Sequence, residues 1–357
     1  MKQEVAARLP NWRFAYSRPG FVTFKLEEEA ELAKFDPPKL TFARVTGLSL
    51  AKVGLTETAS ELAEQVWRLP QLTEPDSAAI AHLHVWERDR VLPGEEGFEP
   101  GPTPLSNAAH EALKQAQPAP KGDKADEPAL SGRDAFVLDV VLVEPNEWWV
   151  GAHVVRSRTD RWVGGSPALE LPEHAVSRAY LKMQEALRWS SLPTSPGDLW
   201  VELGCAPGGA SQALMDVGMR VVGVDPAEVD PAVAADERFT HVRAKTAEAP
   251  RKAMEGAHWI TADINAAPSY TLEAVESLLK HDSIRPRGVL LTLKLLSPHL
   301  ASPEQVRECL ARVRSWGLED VRVRQLVHNR REYCLAALKR RSQRRWSRGT
   351  RRTKQAD

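Results

Sequence analysis

The chain has 357 residues, 42% hydrophobic and 27% charged, with 48 basic and 48 acidic side chains that cancel to a formal net charge of zero. That length exceeds one ordinary core, so more than one domain is expected, and the composition excludes a disordered, collagenous or membrane-spanning chain. Three scattered cysteines, Cys205, Cys309 and Cys334, exclude a disulfide framework; with no signal-peptide pattern after Met1 and no long apolar run, a cytoplasmic protein without a membrane partner is expected.

Alternation at 20–25 and 40–45 predicts two strands, and 59–67 an amphipathic helix, which together suggest a small ferredoxin-like α+β unit over 1–70. A second unit over 75–170 opens with a strand at 82–86 and closes with apolar runs at 135–143 and 147–152, joined at Glu144-Pro145-Asn146. Between them 92–133 is rich in Pro, Gly and charge, and reads as a flexible insertion around one short helix at 108–115. The ten histidines show no ligand spacing; His82, His84 and His110 read as surface or core polar residues, and no metal is expected.

From 172 to 340 apolar runs alternate with amphipathic stretches, as in a doubly wound α/β sheet. The helix predicted at 175–189 puts Val176, Tyr180, Met183 and Leu187 on one face and Arg178, Lys182 and Glu185 on the other. Strands follow at 199–203, 219–225, 239–243, 259–263 and 288–296, with a helix at 210–217 ended by Gly218. Ser302-Pro303-Glu304-Gln305 caps a helix whose buried stripe is Val306, Leu310 and Val313, and strands at 321–326 and 333–338 close the domain. The tail at 341–357 is basic whereas 27–36 is acidic, an asymmetry that marks nucleic-acid contact.

The run Leu203-Gly204-Cys205-Ala206-Pro207-Gly208-Gly209 joins a buried strand to a helix, the place where α/β proteins hold an adenosine-bearing cofactor. Gly204 suits a sharp turn, and Gly208 and Gly209 are expected to keep Cβ atoms away from a ligand. The spacing differs from the dinucleotide fingerprint, which weakens a nicotinamide oxidoreductase, and Pro207 removes an amide donor. A cofactor without phosphate fits better. Asp225, about twenty residues on, can accept ribose hydroxyls. Glu202, a charge among apolar residues, is a candidate for the loop amides or for the cofactor's amino-acid end. Asp263 and Lys294 likewise interrupt apolar strands near their carboxyl ends, where burial of a lone charge is costly unless it is paired.

Ser177-Arg178-Ala179-Tyr180-Leu181-Lys182-Met183, the Gly204 turn, Ala262-Asp263, Leu293-Lys294-Leu295 and Arg331-Glu332-Tyr333 together resemble the successive motifs of the FtsJ-like 2′-O-ribose RNA methyltransferases. Trp148-Trp149-Val150-Gly151 and the 326–332 stretch resemble the branch that methylates a cytidine of 23S ribosomal RNA. The resemblance implies a Rossmann-like methyltransferase domain over 172–340, preceded by ferredoxin-like and THUMP-like RNA-binding units. It implies S-adenosyl-L-methionine as cofactor, ribosomal RNA as partner, and a catalytic tetrad of Lys182, Asp263, Lys294 and Glu332. The cofactor would lie on Glu202, Gly204, Cys205, Ala206, Pro207, Gly208, Gly209, Asp225 and Asp263. A ribose 2′-hydroxyl is a poor nucleophile and needs a base and a cation; Lys294 is expected as the base, its pKa lowered by Lys182. Lys245 stands where many relatives carry an adenine-reading aspartate, leaving Glu248 or backbone for that task, and Leu296 replaces a proline. A monomer is expected. The alternative is a non-catalytic RNA-binding or ribosome-assembly protein with the same fold.

Overall fold

The computed structural model describes residues 1–28, 30–54, 58–73, 80–91, 93, 95–118 and 135–340. The basic tail at 341–357 and most of the Pro/Gly-rich flank at 118–132 lie outside them. The chain divides into two units, Met1–Ala168 and Leu169–Asp357.

The first unit begins with helix α1 (Lys2–Arg8) and an antiparallel hairpin, β1 (Arg13–Arg18) with β2 (Phe21–Lys25). Then come β3 (Leu48–Gly54), α2 (Ala59–Trp67), α3 (Pro70–Thr73), β4 (Ile80–Glu87), α4 (Pro104–Ala116), β5 (Phe136–Glu144) and β6 (Glu147–Val154). The sheet order is β3-β6-β5-β4. Leu62 and Val66 of α2 and Leu113 of α4 pack with Val85, Leu138, Val140 and Trp148 of the sheet, a buried face that each helix meets with one stripe.

Two expectations are corrected here. Residues 40–45 form no strand, because the Glu4 carboxylate takes the Thr41 and Phe42 amides at 2.7 and 3.2 Å, donors that a neighbouring strand would otherwise have used. A boundary near 70 is not structural either: β3 pairs with β6, so segments assigned to separate units share one sheet. Without β3 the backbone of β6 would be an unpaired edge. The helix expected at 108–115 starts earlier, at Pro104, because Thr103 caps it by accepting the Ser106 amide at 3.1 Å.

The second unit runs α5 (Ala179–Ser190), β7 (Leu199–Leu203), α6 (Gly209–Asp216), β8 (Arg220–Val224), α7 (Pro231–Ala234), β9 (Phe239–Val242), β10 (Trp259–Ala262), α8 (Pro268–Leu279), β11 (Gly288–Lys294), α9 (Pro303–Ser315), β12 (Asp320–Arg324) and β13 (Glu332–Leu338). Its seven-stranded sheet has the order β12-β13-β11-β10-β7-β8-β9. Strands β7 to β11 are parallel, whereas β13 lies antiparallel between β11 and β12. Strand order reverses between β7 and β10, so a crevice opens there at the strands' carboxyl ends.

At the opposite edge Trp200 and Trp259 stack with centroids 5.7 Å apart, and Asp198 accepts from Trp259 Nε1 at 2.9 Å and pairs with Arg287 at 3.1 Å. This buried knot fixes β7 against β10. Helix α5 begins four residues later than expected; ahead of it the Val176 amide donates to Gln212 Oε1 at 2.8 Å. Ser302 caps α9 as expected, but its buried stripe is Val306, Cys309 and Val313, with Leu310 half-buried at the flank. Helix α8 was not foreseen. Among the described residues no helix is long and apolar enough to cross a membrane.

Candidate active site

Four charges meet at the crevice. Lys182 projects from the first turn of α5, Asp263 directly follows β10, Lys294 ends β11 and Glu332 begins β13, where it is Lys294's cross-strand partner. Lys182 Nζ bridges Asp263 Oδ2 and Glu332 Oε1, the latter at 2.6 Å, while Lys294 Nζ bridges Asp263 Oδ1 at 2.6 Å and Glu332 Oε2 at 2.5 Å. The result is a closed ring of alternating charge. Lys182, Asp263 and Lys294 keep 17, 22 and 16% of their side-chain surface exposed and can meet a ligand; Glu332, at 3%, anchors the ring from below.

The ring fixes its own protonation. Burial pushes the Asp263 carboxyl up, but the ammonium groups of Lys182 and Lys294 outweigh it and hold the group below the usual carboxylate range. Burial likewise pushes Lys294 down, and the carboxylates of Asp263 and Glu332 outweigh that, holding its ammonium above the usual lysine value. The expected depression of Lys294 by Lys182 is therefore corrected: the atoms against Lys294 Nζ are carboxylate oxygens.

A residue missed from the sequence sets Glu332 in place. Glu185, three positions after Lys182 on α5, is fully buried, and its carboxylate accepts from Val327 N at 2.9 Å, His328 N at 2.8 Å and His328 Nδ1 at 2.9 Å. The segment at 326–331, which leads into β13, is thus folded around one anion; Arg330 N then donates to Glu332 Oε1 at 3.3 Å. Its i,i+3 spacing from Lys182 puts both on one helix face, but that spacing alone does not mark it as buried.

The glycine turn sits beside the ring. Gly204 has φ 80°, its amide donates to the Val224 carbonyl at 2.9 Å, and a Cβ there would stand 2.8 Å from the Asp263 carbonyl. Asp225, just past β8, braces the turn by accepting from Ala206 N at 3.2 Å and Ala227 N at 2.8 Å. Pro207, after a cis peptide, accepts from the Asp230 amide at 2.9 Å.

The glycine pair also serves packing. A Cβ on Gly208 would meet Val233, and one on Gly209 would lie 2.2 Å from Ser177 Oγ, so their bareness lets α6 approach α7 and the start of α5. Glu202 is buried and bonded to Ser211 Oγ of α6 rather than to loop amides. Burial raises its pKa to about 8, with Asp263 and Asp225 adding to the shift. Cys205 is buried with its thiol pushed up by burial, so only its backbone is offered to a ligand. Lys245 and Glu248 occupy an exposed turn, away from any bond with the residues above.

A sheet of this order, with a glycine turn and charged groups at its switch point, defines a Rossmann-like domain with a ligand crevice. Residues 175–308 match the family described as FtsJ-like methyltransferase. The chain is similar to "Ribosomal RNA large subunit methyltransferase M" of Halorhodospira halophila, 32% identical over 49% of this chain and 51% of that protein. Its likeness to the protein of that name from Azotobacter vinelandii is 32% over 57% and 55%, and to that from Hahella chejuensis 27% over 70% and 69%. The chain spans about half the length of the first of these relatives.

Proposed function

We propose that this protein is an S-adenosylmethionine-dependent 2′-O-ribose methyltransferase acting on ribosomal RNA in the cytoplasm, with a cytidine of 23S RNA as the expected target. The observation that carries this reading is the Lys182–Asp263–Lys294–Glu332 ring at the switch point, beside the glycine turn. The similarity to large-subunit ribosomal RNA methyltransferases supports the substrate class.

The turn fits such a cofactor. Ser177 Oγ is buried without a hydrogen-bond partner among the described residues beside Gly209, and Asp225 presents a braced carboxylate. The Gly204 to Gly209 backbone, Asp225 and Asp263 would hold the cofactor, with buried, largely neutral Glu202 beneath. S-adenosylmethionine supplies an electrophilic methyl group on a cationic sulfur. Lys182 holds the ribose oxygen and stabilises charge developing on it, and Lys294 takes the hydroxyl proton. To act as base, Lys294 must first lose its proton; positive charge added beside the neutral ring favours that loss. Much of the remaining acceleration is positioning. The N-terminal unit, read as ferredoxin-like and THUMP-like elements, would hold the RNA.

Lys294→Ala should lower methyl transfer by at least ~10²-fold while leaving cofactor affinity nearly intact. Nucleoside-resolved mass spectra of 23S RNA from cells with and without the gene test the substrate; identical spectra would refute it.

A further inference from the structure

On the face of the N-terminal sheet turned away from α2 and α4, three ionisable side chains converge. His84 of β4 and Asp139 of β5 are register partners, and His153 of β6 stands opposite Val137, two residues from Asp139 and so on the same side. Each is only 5% exposed. One ligand atom from each lies within 4.8 Å of the others.

The spacings are informative. His84 Nδ1 is 3.7 Å from Asp139 Oδ1, too far for a hydrogen bond. Two ligands on one tetrahedral ion of zinc type, each bonded at ~2.1 Å, stand about 3.4 Å apart. Asp139 Oδ1 is itself buried with no hydrogen-bond partner among the described residues. On the other side, His153 Nδ1 meets Asp139 Oδ2 at 2.5 Å, while its Nε2 lies 2.7 Å from the Asp160 carbonyl. A bond from the far ring nitrogen to a carbonyl is what orients a ligating imidazole. Asp160 is in turn held by the Arg156 and Ser157 amides at 2.9 and 2.7 Å. His82, two residues before His84 on β4, adds a buried Nε2 without a partner among the described residues, its ring centroid 6.4 Å from that of His84.

We propose that His84, Asp139 and His153 bind a divalent transition-metal ion of zinc type, with His82 or water in the fourth position. On binding, the proton between His153 Nδ1 and Asp139 Oδ2 leaves to solvent and the ion takes its place. The site would tie β4, β5 and β6 together and, through Asp160, fasten the turn at 157–161 to the sheet. It revises the metal-free expectation, and it is independent of the methyltransferase reading.

The test uses the full chain without an affinity tag, stripped of metal and titrated with cobalt(II). One equivalent should give the ligand-field spectrum of a tetrahedral or five-coordinate site, release protons, raise the melting temperature and be displaced by zinc. His84→Gln and His153→Gln, each shown folded by circular dichroism, should weaken binding at least ~10-fold. Lys294→Ala should bind cobalt like the parent. A folded parent chain without the spectrum, an unchanged affinity in both glutamine variants, or loss of binding in Lys294→Ala would overturn the proposal and leave the cluster as a hydrogen-bonded His–Asp pair.

Discussion

Lys294 sets the pH dependence of the proposed reaction. Because Asp263 and Glu332 hold its ammonium above the usual lysine value, single-turnover methyl transfer should rise with pH through neutrality and beyond; a rate that falls over that range would exclude Lys294 as base. Stability should follow the same charges. Asp263 is held below the usual carboxylate range, so its contribution is present above ~3.9 and lost as pH falls through its lower, folded value. That of Lys294 is complete below ~10.4 and lost as pH climbs through its raised value. Melting temperatures across pH should therefore show both losses, and Asp263→Asn should remove the acidic one. Glu185→Gln offers a donor where three N–H groups need an acceptor. It should cost about 1–3 kcal/mol of stability in urea unfolding and slow methyl transfer about 10²-fold with little change in cofactor affinity.

At the scale of the elements, the start of α6 is where small changes have large effects. Gly209→Ala would drive a methyl into Ser177 Oγ and, at 2.8 Å, the Ser177 carbonyl. Calorimetry should show a loss of about 1–3 kcal/mol, only partly restored by Ser177→Gly, because the carbonyl remains. The elements that carry charge were legible for a physical reason. Asp263 and Lys294 interrupt apolar strands, and such interruptions persist only where something compensates them. Glu185 was not legible as a buried anchor, because an acid on the polar face of a helix looks like a solvated one. Strand β3 was missed since a bulge between Ser49 and Ala51 breaks its alternation, whereas 40–45 alternates without a strand to pair with. A contact made by Glu4, far away in sequence, decided that segment.

For the whole molecule, RNA capture and methyl transfer are separable under the proposed function. The tail at 341–357 carries Arg341, Arg344, Arg345, Arg348, Arg351, Arg352 and Lys354. Deleting it should weaken binding to an rRNA fragment and flatten its dependence on salt, with cofactor affinity unchanged, as titrations at several salt concentrations will show. The antiparallel ladder of β11 and β13 runs from Gly288 opposite Leu338 to Lys294 opposite Glu332. One residue inserted within either strand would turn its charge to the far face. Leu295 N extends that ladder by one bond, to the Arg331 carbonyl at 2.6 Å, and the connection at 296–301 lies beyond it, so lineages of this protein can lengthen or shorten that connection while inheriting the same pair of charges.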